Sequence, residues 1–334
     1  MYDHYIAVDW AQTNMAVARM TAVVDKISVK EAPANVKELQ LYLSQLKGKK
    51  ILTIEESTPA QWLYTELKSY VDEIIVCDPY RNHLLSEGAK NDKIDATKLV
   101  QLLRANLLKP VFHSGDDFIY LRKLVSGYQD LINAGVRAKN QRSAIYRANG
   151  KRWQSGEKLE GSADTFVLDG LEKSIESYKE EKKRYEKEFS RLSKKHKEIG
   201  LLKTIPGIDD INAVKIVAYV VEPRRFKSIG HFLSYCGLVK LERSSGGVVY
   251  QRKNSRYCRV LKSLFKMSVY SVTAQDKENA IQDYYRYLVQ EKKLALHDAR
   301  SATARRIATL ALGVLKSGQK FDPQRRIKKS INSN

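Results

Sequence analysis

The chain opens on short apolar runs that end in acids. Tyr5-Ile6-Ala7-Val8 leads into Asp9, and Ile51-Leu52-Thr53-Ile54 leads into Glu55, so both runs read as buried strands with a carboxylate at the C-terminal end. A loosely alternating stretch from Met15 to Thr21 predicts a further strand, and Asn35 to Leu46 predicts a helix. Thr58-Pro59 starts a helix that runs through Tyr70, because the fixed φ of proline suits a first helical turn. Glu73 to Cys77 is a short buried strand closed by Asp78-Pro79. Leu99, Leu102, Leu103 and Leu107 recur at helical spacing within Ile94 to Leu108. Strands alternating with helices predict an α/β sheet domain over residues 1–110.

The period then changes. Phe118 to Arg152 is helical and increasingly basic, and Gln154 to Ala163 reads as a loop. Leu171, Tyr178, Tyr185, Leu192 and Ile199 follow at intervals of seven, with Ile175, Phe189 and His196 four places after three of them. That is a heptad seam in a highly charged helix, which predicts a coiled coil or a long helical hairpin over the region 111–200. The seam points to a homo-oligomer, a dimer or tetramer, with packing inside one chain as the alternative. A compact, mostly helical domain is expected over 201–322, and 323–334 is a polar, basic tail. No internal repeat stands out, and no run approaches the roughly 18–20 apolar residues of a membrane span.

Charge sharpens this division. The chain carries 59 Lys+Arg against 38 Asp+Glu, a formal net charge of +21. Residues 1–110 hold 14 of each, so the remaining 45 basic and 24 acidic residues account for the whole excess. A neutral front joined to a strongly basic back predicts a polyanionic partner, nucleic acid, for the back. The three cysteines, Cys77, Cys236 and Cys258, are far apart and form no C-x-x-C, which argues against a disulfide framework or zinc site and for a reducing compartment. Met1-Tyr2-Asp3-His4-Tyr5 lacks a basic flank followed by an apolar run, so the expected location is cytoplasmic, at the nucleoid when DNA is bound.

Four acids stand out by placement. Asp9 and Glu55 end strands, where ligands of open α/β sheets collect. Asp92 and Asp95, in Lys90-Asn91-Asp92-Lys93-Ile94-Asp95-Ala96, are three apart at a helix start and therefore share a face. Such a set of hard oxygen donors suits Mg²⁺ and substrate phosphates. Glu56 is the rival of Glu55; Glu55 is preferred because it directly follows the apolar strand.

In the back half, Thr204-Ile205-Pro206-Gly207-Ile208 before Asn212 to Ala218 reads as either a helix-hairpin-helix turn offering amides to a phosphate or a plain helix connection. Further on, Tyr235-Cys236-Gly237-Leu238 leads to Ser244-Ser245-Gly246-Gly247. A serine in a glycine-rich turn is exposed and open to close approach. Arg243, Arg252, Lys253, Arg256, Arg259 and Lys262 surround it in sequence and are candidates for binding phosphate oxygens. No local histidine base is evident, so activating the hydroxyl would need a bound metal. The bland alternative is a surface loop.

Together, Ala7-Val8-Asp9, Ile54-Glu55, the Asp92-x-x-Asp95 segment, Thr204 to Ile208, Tyr235 to Leu238 and Ser244 to Gly247 resemble one family over nearly the whole chain. It is the insertion-sequence transposases that join an RNase H-like, RuvC-like DEDD domain to a serine domain, relatives of the Piv DNA invertase. The resemblance implies that Asp9, Glu55, Asp92 and Asp95 bind Mg²⁺. It also implies that Ser245 (Ser244 as the fallback) links covalently to DNA, and that serine and carboxylates from different protomers form one site. A structured bridge RNA pairing with donor and target DNA is implied as guide. One departure is visible: Glu56-Ser57-Thr58-Pro59 stands where a small, glycine-containing stretch is expected. The competing readings are a RuvC-like endonuclease that hydrolyses with water, and a non-catalytic nucleic-acid-binding protein.

Overall fold

The computed structural model describes residues 1–79, 91–113, 116–253, 256–274 and 278–323; of these, the side chains of 116–117, 241, 243 and 248–253 lie outside the description. The chain divides into two compact units, Met1–Asp116 and Asp117–Asn334. The architecture is mixed α/β at the front and mostly helical behind.

The first unit is built on one sheet. β1 (His4–Trp10), β2 (Asn14–Thr21), β3 (Ser28–Pro33), β4 (Lys50–Glu55), β5 (Glu73–Cys77) and the two-residue β6 (Pro110–Val111) line up in the order β3-β2-β1-β4-β5-β6. β1, β4 and β5 run parallel, while β2, β3 and β6 pair antiparallel to their neighbours. α1 (Val36–Gln45) and α2 (Ala60–Leu67) cover one face, where Ile6, Val8, Leu52 and Ile54 meet Leu39, Leu43, Leu63 and Leu67. α3 (Asp92–Arg104) covers the other, packing Ala96, Leu99, Val100 and Leu103 over Ala7, Ala16, Ala18 and Ile51. Apolar side chains on both faces explain why β1 and β4 are uninterrupted apolar runs, not alternating ones.

Beyond the short β6, which the sequence did not announce, three features depart from the sequence expectations. β3 was not expected: Ser28-Val29-Lys30-Glu31-Ala32-Pro33 lacks an apolar stripe, as befits an edge strand that borders only β2. α2 begins at Ala60 and ends at Leu67, short of Tyr70. α3 stops at Arg104, short of Leu108, because Asn106 takes a left-handed φ of 56°.

In the second unit α4 (Asp116–Ala148) and α5 (Ser162–Lys195) form an antiparallel hairpin. Tyr120 pairs with Glu188 near one end and Arg142 with Glu172 nearer the other. The heptad seam of α5 is filled from within the chain: Tyr185 and Phe189 stack with Tyr128. Gly127 and Gly135 of α4 leave room for the hydroxyl of Tyr185 and the ring of Tyr178, which a Cβ would strike at 2.5 and 2.3 Å. The seam breaks at His196, which is extended (φ −107°), so Ile199 falls on the separate helix α6 (Lys197–Leu202).

The rest is α7 (Asp210–Val220), α8 (Ile229–Tyr235), a hairpin of β7 (Leu241–Ser245) and β8 (Val248–Lys253), α9 (Arg259–Thr273), α10 (Ala280–Gln290) and α11 (Leu296–Ser317). One core runs from Leu121 and Phe189 through Ile205, Val214 and Phe232 to Phe265 and Ile307. The Thr204–Ile208 turn belongs to that core: Ile205 and Ile208 are buried. Gly207 sits at φ +85°, where a Cβ would lie 2.8 Å from Ser268 O and 2.5 Å from Val272 Cγ2. Glycine is demanded here by the close approach of α9.

Gly207→Ala is therefore expected to destabilise the protein by more than about 2 kcal/mol, through a strained φ and a clash with backbone. Urea unfolding checks this; a midpoint unchanged from the parent would mean that the α9 contact does not constrain the turn.

Candidate active site

Parallel strands place the first two acids. The β1–β4 register pairs Ala7 with Thr53 and Val8 with Ile54, so Asp9 and Glu55 are the next residues on neighbouring strands. Side chains alternate along a strand. Ala7 and Ile51 face α3, and Asp9 and Glu55, two and four residues later, fall on that same face. The other two acids come from the first turn of α3. Asn91, not Asp92, caps this helix, its side chain accepting from Ile94 N at 2.8 Å. The cap leaves Asp92 and Asp95 free of that duty, one turn ahead of the buried Ala96 and Leu99 that press α3 on the sheet.

The electrostatics show what is gathered. Asp9 is half-buried, and its carboxyl is pushed up from the ordinary 3.8 to about 6, first by burial and then by the charges of Asp92 and Asp95. Asp95 Oδ1 is buried and accepts no hydrogen bond among the described residues. Crowded anions with an unsatisfied buried oxygen fit a divalent cation, and an all-oxygen donor set fits Mg²⁺ in particular. Among the described residues no three acid, histidine or cysteine side chains close around a metal position. An open edge of this kind is compatible with Mg²⁺, which keeps several waters and binds through one or two carboxylates plus substrate phosphates.

Glu56 is engaged elsewhere. Its Oε2 stands 2.5 Å from His113 Nε2, while His113 Nδ1 lies 2.9 Å from Gln61 Oε1. Tyr64 packs against the His113 ring, with centroids 5.6 Å apart. The strand alternation thus separates the two rivals: Glu55 falls on the α3 face, and the next residue turns to the opposite one. Sequence reasoning missed His113, because a lone histidine 57 positions beyond Glu56 carries no spacing signal.

The serine lies in the second unit, on a hairpin that was expected only as a glycine-rich loop. Ser245 ends β7 opposite Val248, and Gly246 and Gly247 form the two-residue turn with φ of +57° and +80°. Two successive positive φ values make this a type I′ turn, which glycine adopts without strain. Ser244 and Ser245 are exposed, and a Cβ on either glycine would meet nothing within 4 Å. Arg256 and Arg259 are exposed, whereas Lys262 is half-buried with its Nζ 4.3 Å from the Tyr257 ring centroid. The side chains of Arg243, Arg252 and Lys253 lie outside the described residues. Among the described residues no helix is long and apolar enough to cross a membrane.

Comparison with known proteins adds an independent line. Residues 6–146 match the DEDD family model of IS110 type, described as Transposase. Residues 200–286 match the model described as Transposase IS116/IS110/IS902 family. No curated protein matches the chain.

The raised carboxyl of Asp9 fixes a pH dependence. Its protonated form is favoured in the folded state, so that contribution is fully present below about 3.8 and is lost as pH rises through about 6. In chelator, Asp9→Asn is expected to melt increasingly above the parent as pH rises from 4 to 6.5, with a constant gap beyond. A gap that does not change with pH in thermal melts would remove the carboxylate crowding.

Proposed function

From a chain that carries IS110/IS116/IS902 transposase domains, we propose a Mg²⁺-dependent DNA recombinase that cuts and rejoins strands through Ser245, with Asp9, Glu55, Asp92 and Asp95 as its metal-binding carboxylates. The observation that carries this reading is the crowding of Asp92 and Asp95 on Asp9 at the C-terminal edge of parallel strands. The strand order, with parallel β1, β4 and β5 beside antiparallel β2 and β3, supports an RNase H-like, RuvC-like unit.

When bound, Mg²⁺ would supply charge stabilisation at the scissile phosphate and ease deprotonation of a hydroxyl. The carboxylates hold and orient it. Ser245 Oγ replaces one ester oxygen at phosphorus: an O–P bond to serine forms, a strand O–P bond breaks, the serine proton is lost and the departing oxygen gains one. Attack by a hydroxyl of another strand then reverses the exchange and regenerates Ser245. Each step trades one phosphoester for another, so no energy source is needed. A tight, uncrowded turn suits this exchange, because the phosphate must come within bonding distance of Oγ.

Arg243, Arg252, Lys253, Arg256, Arg259 and Lys262 would position the phosphates. Phosphate contacts carry no sequence information. A structured bridge RNA pairing with donor and target DNA would supply it, on a protein acting as a dimer or tetramer.

Ser245→Ala is expected to lower recombination more than about 10³-fold, while DNA binding stays within about twofold. The denaturant-stable protein–DNA adduct should vanish with it, and chelation should stop the parent as well. Cleavage that persists in Ser245→Ala, without an adduct, would replace this mechanism with resolvase-like hydrolysis by water.

A further inference from the structure

We propose that the outer face of α9, extended by Arg300 of α11, is a bed for the phosphate backbone of duplex DNA beside the serine hairpin. This rests on the recombinase reading and names where that substrate lies.

α9 is two-sided. Leu261, Leu264, Phe265, Ser268, Val269 and Val272 are buried, and α9 packs on α11. Arg259, Lys262, Lys266 and Tyr270 follow at steps of three, four and four, which at 100° per residue fall within about 80° of the helix surface, with half-buried Lys262 at the edge nearest the buried side. The stripe runs about 16 Å along the axis at 1.5 Å per residue. Arg259 and Lys266 are exposed, and among the described residues neither has a salt-bridge partner. Tyr270 keeps 47% of its surface open, and the Arg300 guanidinium sits 5.0 Å from its ring centroid. That stack adds a cation at the far end of the row and holds it in place.

A solvated helix face is the plain alternative, and this chain supplies its own example. Along α5, Lys173, Lys179, Arg184 and Arg191 each pair with an acid three or four residues away (Asp169, Glu176, Glu181 and Glu188). α9 contains no acid at all. From Arg243 to Gln275 the chain has seven cations and no anion. Arg259 and Lys266 thus keep their charge without an acidic partner among the described residues, and a polyanion would supply the counter-charge. Duplex DNA is the polyanion a convex helix face fits best: the B-form major groove admits an α-helix between two phosphate rows. The A-form RNA major groove is too narrow for side chains to read. α9 also starts six residues after β8 ends, so the row begins close in sequence to the hairpin that carries Ser245.

The test uses the full chain and fluorescence anisotropy with a 30-base-pair DNA duplex and a 30-nucleotide single-stranded RNA. Lys266→Ala/Arg300→Ala should weaken duplex binding about tenfold or more near physiological salt. It should make the log–log salt dependence shallower by about 2, at about 0.9 per lost phosphate contact. RNA affinity should stay within twofold, and thermal melts should show the variant folded; Lys266→Glu should reproduce the loss from one exposed position. The control Lys179→Ala/Arg184→Ala removes equal charge from α5 and should leave duplex affinity within twofold. Unchanged duplex binding by the α9–α11 variant, equal losses on DNA and RNA, or an equal loss in the α5 control would each overturn the assignment. A parent protein that binds the duplex but forms no protein–DNA adduct and no recombinant would instead overturn the recombinase reading, so the two failures are distinguishable.

Discussion

Like charges forced together at a half-buried sheet edge are the constraint on which this protein turns. Asp9 cannot move away from Asp92 and Asp95, because β1 is the central strand and α3 is clamped across it by Ala96, Leu99 and Leu103. Burial and repulsion both penalise the ionised carboxyl, and the positive end of the α3 dipole offsets only part of that. A fold optimised for stability alone would place an apolar residue at position 9. Keeping three acids there leaves an edge whose crowding a bound cation would relieve. The capping by Asn91 serves the same end, since it stabilises the helix start without using Asp92.

The second unit solves a different problem: holding an exposed glycine turn on little structure. A two-stranded hairpin is marginal alone, and here it is followed by a helix whose buried side enters a large core. The backbone link from Cys258 N to Tyr235 O, 2.8 Å, ties the segment after the hairpin to the one before it. Both ends of the serine segment are thereby held, while the glycine turn at its tip stays uncovered. Rigidity at the base with openness at the tip leaves Ser244 and Ser245 accessible to solvent.

How much of this was legible in the sequence depended on which signal carried it. Strands buried on both faces announce themselves as apolar runs, so β1, β4 and β5 and the acids ending β1 and β4 were readable directly. β3 was not, because an edge strand with Lys30 and Glu31 has no apolar stripe to read. The heptads of α5 were visible, but periodicity says only that a seam is covered. That α4 covers it depends on Gly127 and Gly135, whose meaning appears once Tyr185 and Tyr178 lie opposite. The Pro-Gly turn at Gly207 could be read as phosphate-binding or as connecting; its packing against α9 was not written in the local sequence. The Glu56–His113 pair joins residues 57 apart and needed the sheet to bring them together.

The distribution of charge follows from the same electrostatics. Residues 1–110 are balanced at 14 basic and 14 acidic, and every unit of the +21 excess lies beyond them. Surplus cations beside Asp9 would pair with its carboxylate and draw its raised pKa back down. In the second segment such cations cost nothing of the kind, and the acids that would neutralise them are absent from Arg243 to Gln275. Asp9 crowded by Asp92 and Asp95, and Arg259 and Lys266 without a salt-bridge partner among the described residues, are each unfavourable in isolation. Each is a local imbalance that an oppositely charged ligand relieves, a cation in the first unit and a polyanion in the second.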